Sequence, residues 1–498
     1  MRTKCHALAA AILGDPQKVE FVPLQLSERF IGLTNGTVDV YARAAPTMER
    51  DLFETSSKVG VTFTIPYSYG GIVFGGIPDM VSCADSLSTM GEICSSMQVC
   101  VGEGTTYQNW LERVLPKSHI LPLPASEILT AFLEGNCNVV VGVDWDLRRL
   151  LIVKQVLGPG YVTGQTALYY EGLSMVTRDD DAQWSDMVHM ILQSLMVAEG
   201  QGITRATASS FMTTNLFGEK YTDIFRNAIA ARGNYGELYD RYYESVIPRR
   251  GNATINLLNN GSTPLIRSPD LGTGVSNLGI GPVSGGLLER IIARGYLICG
   301  IHDIETGFAE YNPDTGLWRG LDVDFCRAVA ASLFYGSTSF QDILSIVDLT
   351  DHESGYVSLA TEEVDVLAGA VATLQNEVLE PSTLQGFSFS MPYFYHNLAE
   401  TRALATGQSD PQWSSFTHWV VASTIYAETH GISKDTSNDM PEIGMFGGDY
   451  RRMFRDAILA VGNYGDIYDR NLLSVTPRSV LNQLNIEDGP QHRPIAFE

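Results

Sequence analysis

The chain has 498 residues, 44% of them apolar and 18% charged, which suits a globular, core-bearing protein of two or three domains. Its formal net charge of −24 argues against nucleic acid and anionic membrane surfaces as partners. No apolar run reaches the ~18 residues of a membrane span.

The opening, MRTKCHALAAAILGD, has the basic start and short apolar run of a secretory signal. Residues 5–14 nevertheless read as an amphipathic helix. A strand, VEFVPL (Val19–Leu24), a helix, Ser27–Thr34, and a strand, Val38–Tyr41, follow, a βα alternation that predicts a parallel, doubly wound sheet. TMERDLFE (47–54) starts a helix or turn, and TFTIPYSYGG (62–71) is an extended crossover closing on glycines. A second unit begins at Asp79. It holds a strand Gln98–Val101, a Gly-Glu-Gly-Thr-Thr turn at 102–106, a helix from Tyr107 to about Leu115, a helix Ser126–Glu134 and a buried strand Asn138–Val143. Residues 259–286, rich in Gly, Ser, Pro and Asn, read as a flexible linker. A helix, Leu287–Arg294, and a strand, Tyr296–Ile301, come next.

One nonapeptide occurs twice, as GNYGELYDR (233–241) and GNYGDIYDR (462–470), 229 residues apart. In each copy an apolar-striped helix leads into a glycine, expected as a left-handed helix terminator. Asn234 or Asn463 then caps the next helix, with Glu237 or Asp466 in a capping box. The motif reads as a packing corner, and it serves as a ruler for an internal repeat. Trp184 matches Trp413 at the same spacing, but Pro66 matches Pro392 at 326 and Cys5 matches Cys326 at 321. The second copy therefore lacks about 97 residues that the first has, and it has a start, about Leu287 to Phe325, without counterpart in the first.

LLERIIARGYLICGI, GLDVDFCRAVAA and GNYGDIYDRN in the second copy resemble the general L-amino-acid-binding proteins of solute-binding protein family 3. So do FVPLQLSERFIGLTNGTVDV and VCVGEGTT in the first. These are the periplasmic components of polar amino-acid ABC transporters. The resemblance implies a tandem of the α/β, type II periplasmic-binding-protein fold, with ligand held between two hinged lobes. In those terms residues 1–69 are the first part of copy A lobe 1, 70–169 are lobe 2 as an insertion, and 170–258 return to lobe 1. Residues 259–286 are the linker, and 287–498 are copy B, lobe 1 alone.

A zwitterionic amino acid needs a cationic fork for its carboxylate and an anion for its ammonium. The resemblance assigns the fork to Arg50, in Thr47-Met48-Glu49-Arg50, with Arg43 as a second cation. Where the family has a polar stretch before this arginine, the chain has Ala44-Ala45-Pro46, one residue shorter. Thr105 or Thr106, at the start of a helix, is implied as a second carboxylate contact. Asp144 is implied as the ammonium partner, with Asp146 in reserve. In copy B, Gly369 stands where copy A has Arg43 and Asn376 where it has Arg50, so copy B is not expected to bind an amino acid. Copy A is thus expected to bind an L-amino acid and to deliver it to an ABC-type permease from a periplasmic or secreted location. The alternative is an interaction module that has lost its site.

The nine histidines show no metal spacing, and neither a nucleophile elbow nor a Walker run appears, so neither enzyme activity nor a cofactor is expected. The seven cysteines form no C-x-x-C pair, which argues against zinc. The expected disulfides are Cys100–Cys137, Cys83–Cys94 and Cys299–Cys326, leaving Cys5 alone. Its counterpart, Cys326, is tied to the strand for which copy A has no equivalent. We therefore expect that Met1 is not the biological start, with exchange of copy B's first strand into copy A as the rival account.

Overall fold

The computed structural model describes residues 2–51, 59–148, 160–164, 167–246, 248–249, 282–301, 305–349, 352–378, 385–396, 401–478 and 482–483. The first half holds β1 (Tyr41–Ala44), β2 (Val61–Phe63), β3 (Ser68–Gly76), β4 (Val99–Gly102), β5 (Ile120–Leu123), β6 (Val139–Val143), β7 (Val162–Thr163) and β8 (Tyr169–Arg178). They form one sheet in the order β1-β8-β3-β6-β4-β5, with β2 also on β8 and β7 on β3. The second half holds β9 (Leu297–Ile301), a hairpin of β10 (Glu310–Asn312) and β11 (Leu317–Arg319), β12 (Leu344–Asp348), β13 (Val366–Ala370), β14 (Phe387–Phe389), β15 (Phe394–Tyr395) and β16 (Thr401–Gly407). Its sheet runs β12-β9-β13-β16-β14, with β15 on β16. Both halves have the mixed α/β, type II architecture.

The repeat is carried by the contacts as well as the strands. β13-β16-β14 matches β1-β8-β2, all antiparallel to the central strand. The nonapeptide corners match in detail. Asn234 and Asn463 each cap a helix in a full capping box, and each donates its side-chain amide to a carbonyl 31 residues earlier, Ile203 or Ile432, at 2.8 Å. Glu199 accepts from Arg249 at 2.6 Å, as Glu428 does from Arg478. The expected left-handed glycine is corrected in one respect. Gly233 and Gly462 have φ of 91° and 87° with extended ψ, so they favour glycine but redirect the chain rather than closing a left-handed turn.

β3 positions the site. All nine of its residues are buried; its first part pairs with β8 and its last part with β6, so it joins the β8 side of the sheet to the β6 side. β6, VVVGV, is buried throughout and pairs with parallel β4, whose other partner is parallel β5. A continuous apolar run is what a doubly covered parallel strand requires. The second half has no such excursion, since β15 ends at Tyr395 and β16 begins at Thr401.

Several expected boundaries shift. The strand expected at Val38–Tyr41 is β1, Tyr41–Ala44, and the helix expected from Ser27 begins at Arg29. The strand expected at Val19–Leu24 is irregular and partly exposed. Its counterpart, β12, pairs only with β9, and the described residues of the first half offer no strand equivalent to β9. An apolar alternation without a partner cannot satisfy its backbone as a strand. The opening residues form a helix, Arg2–Leu13. Most of the linker, residues 259–281, and the end of the 47–54 segment lie outside the described residues. The three expected cysteine pairs lie within bonding distance, Cys83–Cys94 at 1.96 Å, Cys100–Cys137 at 2.03 Å and Cys299–Cys326 at 2.00 Å; Cys5 is free.

One substitution within the repeat has an energetic signature. Phe325 is fully buried and stacks on Tyr393 with centroids 4.1 Å apart. The matching position in the first half is Lys4, whose ammonium lies 3.4 Å above the ring centre of Tyr67. Burial lowers the Lys4 amine to about 7. The folded pKa is below the unfolded one, so the folded state binds fewer protons between about pH 7 and 10.5, and stability rises with pH across that window. Lys4→Phe should therefore be more stable than wild type at pH 7 in urea unfolding, and the gap should narrow as the pH approaches 10.

Candidate functional site

Arg50 sits on a single helical turn, Met48–Asp51, set up by Thr47, whose carbonyl accepts from the amides of Arg50 and Asp51. Its guanidinium donates to the Ala45 carbonyl at 3.1 Å and, at 3.4 Å, to the carbonyl of Gly104 in the turn after β4. A second guanidinium, Arg29, donates to the same Gly104 carbonyl at 2.9 Å. Arg29 is buried, its Nε has no hydrogen-bond partner among the described residues, and burial followed by the charge of Arg50 lowers its pKa to about 10. Two like charges thus share one carbonyl acceptor.

Opposite them, the helix Thr106–Val114 begins. Thr105 is its N-cap, accepting from Gln108 N at 3.2 Å and donating to Gly102 O at 2.6 Å. Its hydroxyl is thereby committed to shaping the turn. The first amides of a helix have no intrahelical acceptor, and the helix dipole favours an anion there. The Thr106 hydroxyl donates to Glu171. Arg43, on β1, donates to Asp146 at 2.7 Å, with its guanidinium 5.9 Å from the Trp145 ring centre. The charges of both groups act on Tyr107. Burial, followed by the charge of Glu171, raises its phenol to about 12, and the charges of Arg43, Asp146 and Arg29 also reach it.

The residues singled out from the sequence are thus brought together in two pairs: Arg50 with the 102–106 turn, and Arg43 with Asp146. Asp144 is placed differently. Its Oδ1 accepts from Trp145 N at 2.8 Å, its charge acts on Tyr239, and burial raises its carboxyl to about 6. A small cavity of about 50 Å³ remains between Arg43, Tyr67, Trp145, Asp146 and Tyr243, room for one or two waters. Arg29, Glu171 and Tyr107 were not anticipated. The repeat register holds the signal for the first, because Arg29, Arg43 and Arg50 all match uncharged residues, Gly355, Gly369 and Asn376. Asn376 keeps only the local part of the contact, donating to Val371 O at 3.1 Å and to the Tyr356 hydroxyl at 2.9 Å.

Thr105→Ala should cost about 1 kcal/mol of stability through loss of the cap, measured by urea unfolding, whereas Thr105→Ser should be silent.

No family model matches the chain. It is 29% identical over 260 residues to the glutamate/glutamine/aspartate/asparagine-binding protein BztA of Rhodobacter capsulatus, covering 47% of this chain and 73% of that protein. It is 27% identical over 265 residues to the general L-amino acid-binding periplasmic protein AapJ of Rhizobium johnstonii, covering 48% and 73%. Among solved structures, a periplasmic binding protein from Brucella ovis with glutathione bound shares 27% identity, covers 50% of this chain and 81% of its own, and superposes with a TM-score of 0.39. Over about half of its length the chain is thus similar to amino-acid-binding periplasmic proteins.

Proposed function

We propose that the first half binds an L-amino acid between its two lobes, as the extracytoplasmic binding component of an amino-acid transport or sensing system. The two curated relatives named above are amino-acid-binding proteins, and a further one, YhdW of Escherichia coli, 26% identical over 283 residues, is named as a putative amino-acid ABC transporter-binding protein. Among the described residues no helix is long and apolar enough to cross a membrane. The observation that carries the reading is the convergence of Arg29 and Arg50 on one carbonyl beside a helix N-terminus. A ligand carboxylate entering there would relieve the repulsion of the two guanidiniums and replace a shared neutral acceptor with an anionic one. Glu171, whose charge reaches Arg29, and Asp146, paired with Arg43, are the carboxylates we assign to the ammonium. Arg43–Asp146 would then be a latch that tightens as the lobes close.

A scaffold that no longer binds is the second reading, and the small cavity beside Arg43 favours it. A thermal-shift and calorimetric screen of the twenty amino acids decides between them. At 100 times Kd a true ligand should raise stability by about 2.7 kcal/mol. Arg50→Ala and Arg29→Ala should each weaken binding at least tenfold, and Asn376→Ala should leave it unchanged. A flat screen would move the assignment to the scaffold.

A further inference from the structure

The two halves meet through surfaces that the repeat makes equivalent. The short helix Met48–Asp51 of the first half packs on the long helix Pro411–Thr429 of the second; its counterpart, Leu374–Val378, packs on Ala182–Gly200 of the first. Met48 is 1% exposed and lies in the apolar core of the second half, while Leu374, also 1% exposed, lies with Val378 in that of the first. Each short helix presents a carboxylate to a histidine at the same position of the opposing helix. Glu377 lies 2.9 Å from His189, and Asp51 faces His418. This reciprocity is that of an isologous dimer contact, here contained within one chain.

The two sides of the contact are not equally furnished. Asp51 accepts the Trp419 indole N–H at 2.9 Å and a hydrogen bond from Ser415. Glu377 instead faces Asp186, to which Gln408 donates at 3.1 Å. The two short helices differ in what they carry beyond the contact. Arg50 extends from the first to the Gly104 turn, whereas Asn376 stays within its own loop. A single helical turn has no stability of its own, so its position is set by what it packs against.

We propose that the second half, which has no arginine clamp, is the positioning element for Arg50. Trp419, Ser415 and the apolar site that takes Met48 fix the Met48–Asp51 turn, and thereby hold the guanidinium toward Gly104. This inference rests on the reading of Arg50 as the carboxylate clamp. It gives the second half a purpose in binding without a site of its own, and makes Trp419 a positioning residue for a ligand it does not touch.

The test is hydrogen-exchange mass spectrometry on the full chain, paired with calorimetry using whichever amino acid the wild type binds. Trp419→Phe removes the indole donor, and Asp51→Ala removes the acceptor from the other side. Trp318→Phe is the same aromatic change outside the contact. Cooperative melting establishes that each variant is folded. Both contact variants should speed exchange across residues 45–51 about tenfold, leave the helix Thr106–Val114 unchanged, and weaken binding about tenfold, with Trp318→Phe inert. Unchanged exchange at 45–51, or faster exchange with undiminished affinity, overturns the proposal while Arg50→Ala still weakens binding and the clamp stands. If Arg50→Ala binds as tightly as wild type, the clamp assignment fails, and this inference fails with it.

Discussion

An exchange of apolar side chains holds the molecule together: Met48 is buried in the core of the second half, and Leu374 in the core of the first. Neither half closes its own core at this point. Burying an aliphatic side chain of this size contributes roughly 1.5–3 kcal/mol, and here it is spent on joining the halves as well as on packing each one. The charged groups around the contact follow from that choice. His418 and Asp51 are withdrawn from water, which lowers the imidazole pKa and raises that of the carboxyl, so burial disfavours the charged form of each. Trp419 and Ser415 supply the hydrogen bonds that an unsolvated carboxyl oxygen needs.

The same short helix then links the contact to the arginine group. One turn bears Met48 toward the second half and Arg50 toward Gly104, so core packing and charge placement cannot vary independently. Arg29 and Arg50 bring two cations to one neutral carbonyl, and Glu171 is a carboxylate whose charge reaches Arg29. Two cations are held within reach of one carbonyl by different packing: Arg29 is buried on its own helix, and Arg50 is carried by the turn whose Met48 and Asp51 are anchored in the second half.

The sequence made much of this legible because the repeat supplied its own reference. The spacing of the nonapeptide identified which residues correspond, and the capping boxes at Asn234 and Asn463 could be read from residue type alone. Arg50 and the 102–106 turn were recognisable because a resemblance pointed to them. Val19–Leu24 was misread because strand propensity carries no information on whether a neighbouring strand exists to pair with. Arg29 escaped notice because a buried arginine on a six-residue helix looks like any solvated one until its surroundings are known. The contact between halves was invisible for a related reason. Met48 and Leu374 read as ordinary core residues, and no local pattern says whose core they enter.

The short step from β15 to β16 has a further consequence. In the first half the equivalent strands, β3 and β8, diverge to carry about a hundred residues with their own disulfides, Cys83–Cys94 and Cys100–Cys137. In the second half β15 ends at Tyr395 and β16 begins at Thr401, and the β13-β16-β14 ladder is undisturbed. The residues between β3 and β8 therefore leave and return side by side on adjacent strands. The second half makes the same strand junction without them. A lobe of different pocket chemistry, spliced between Tyr395 and Thr401, would meet a framework already shaped to receive it.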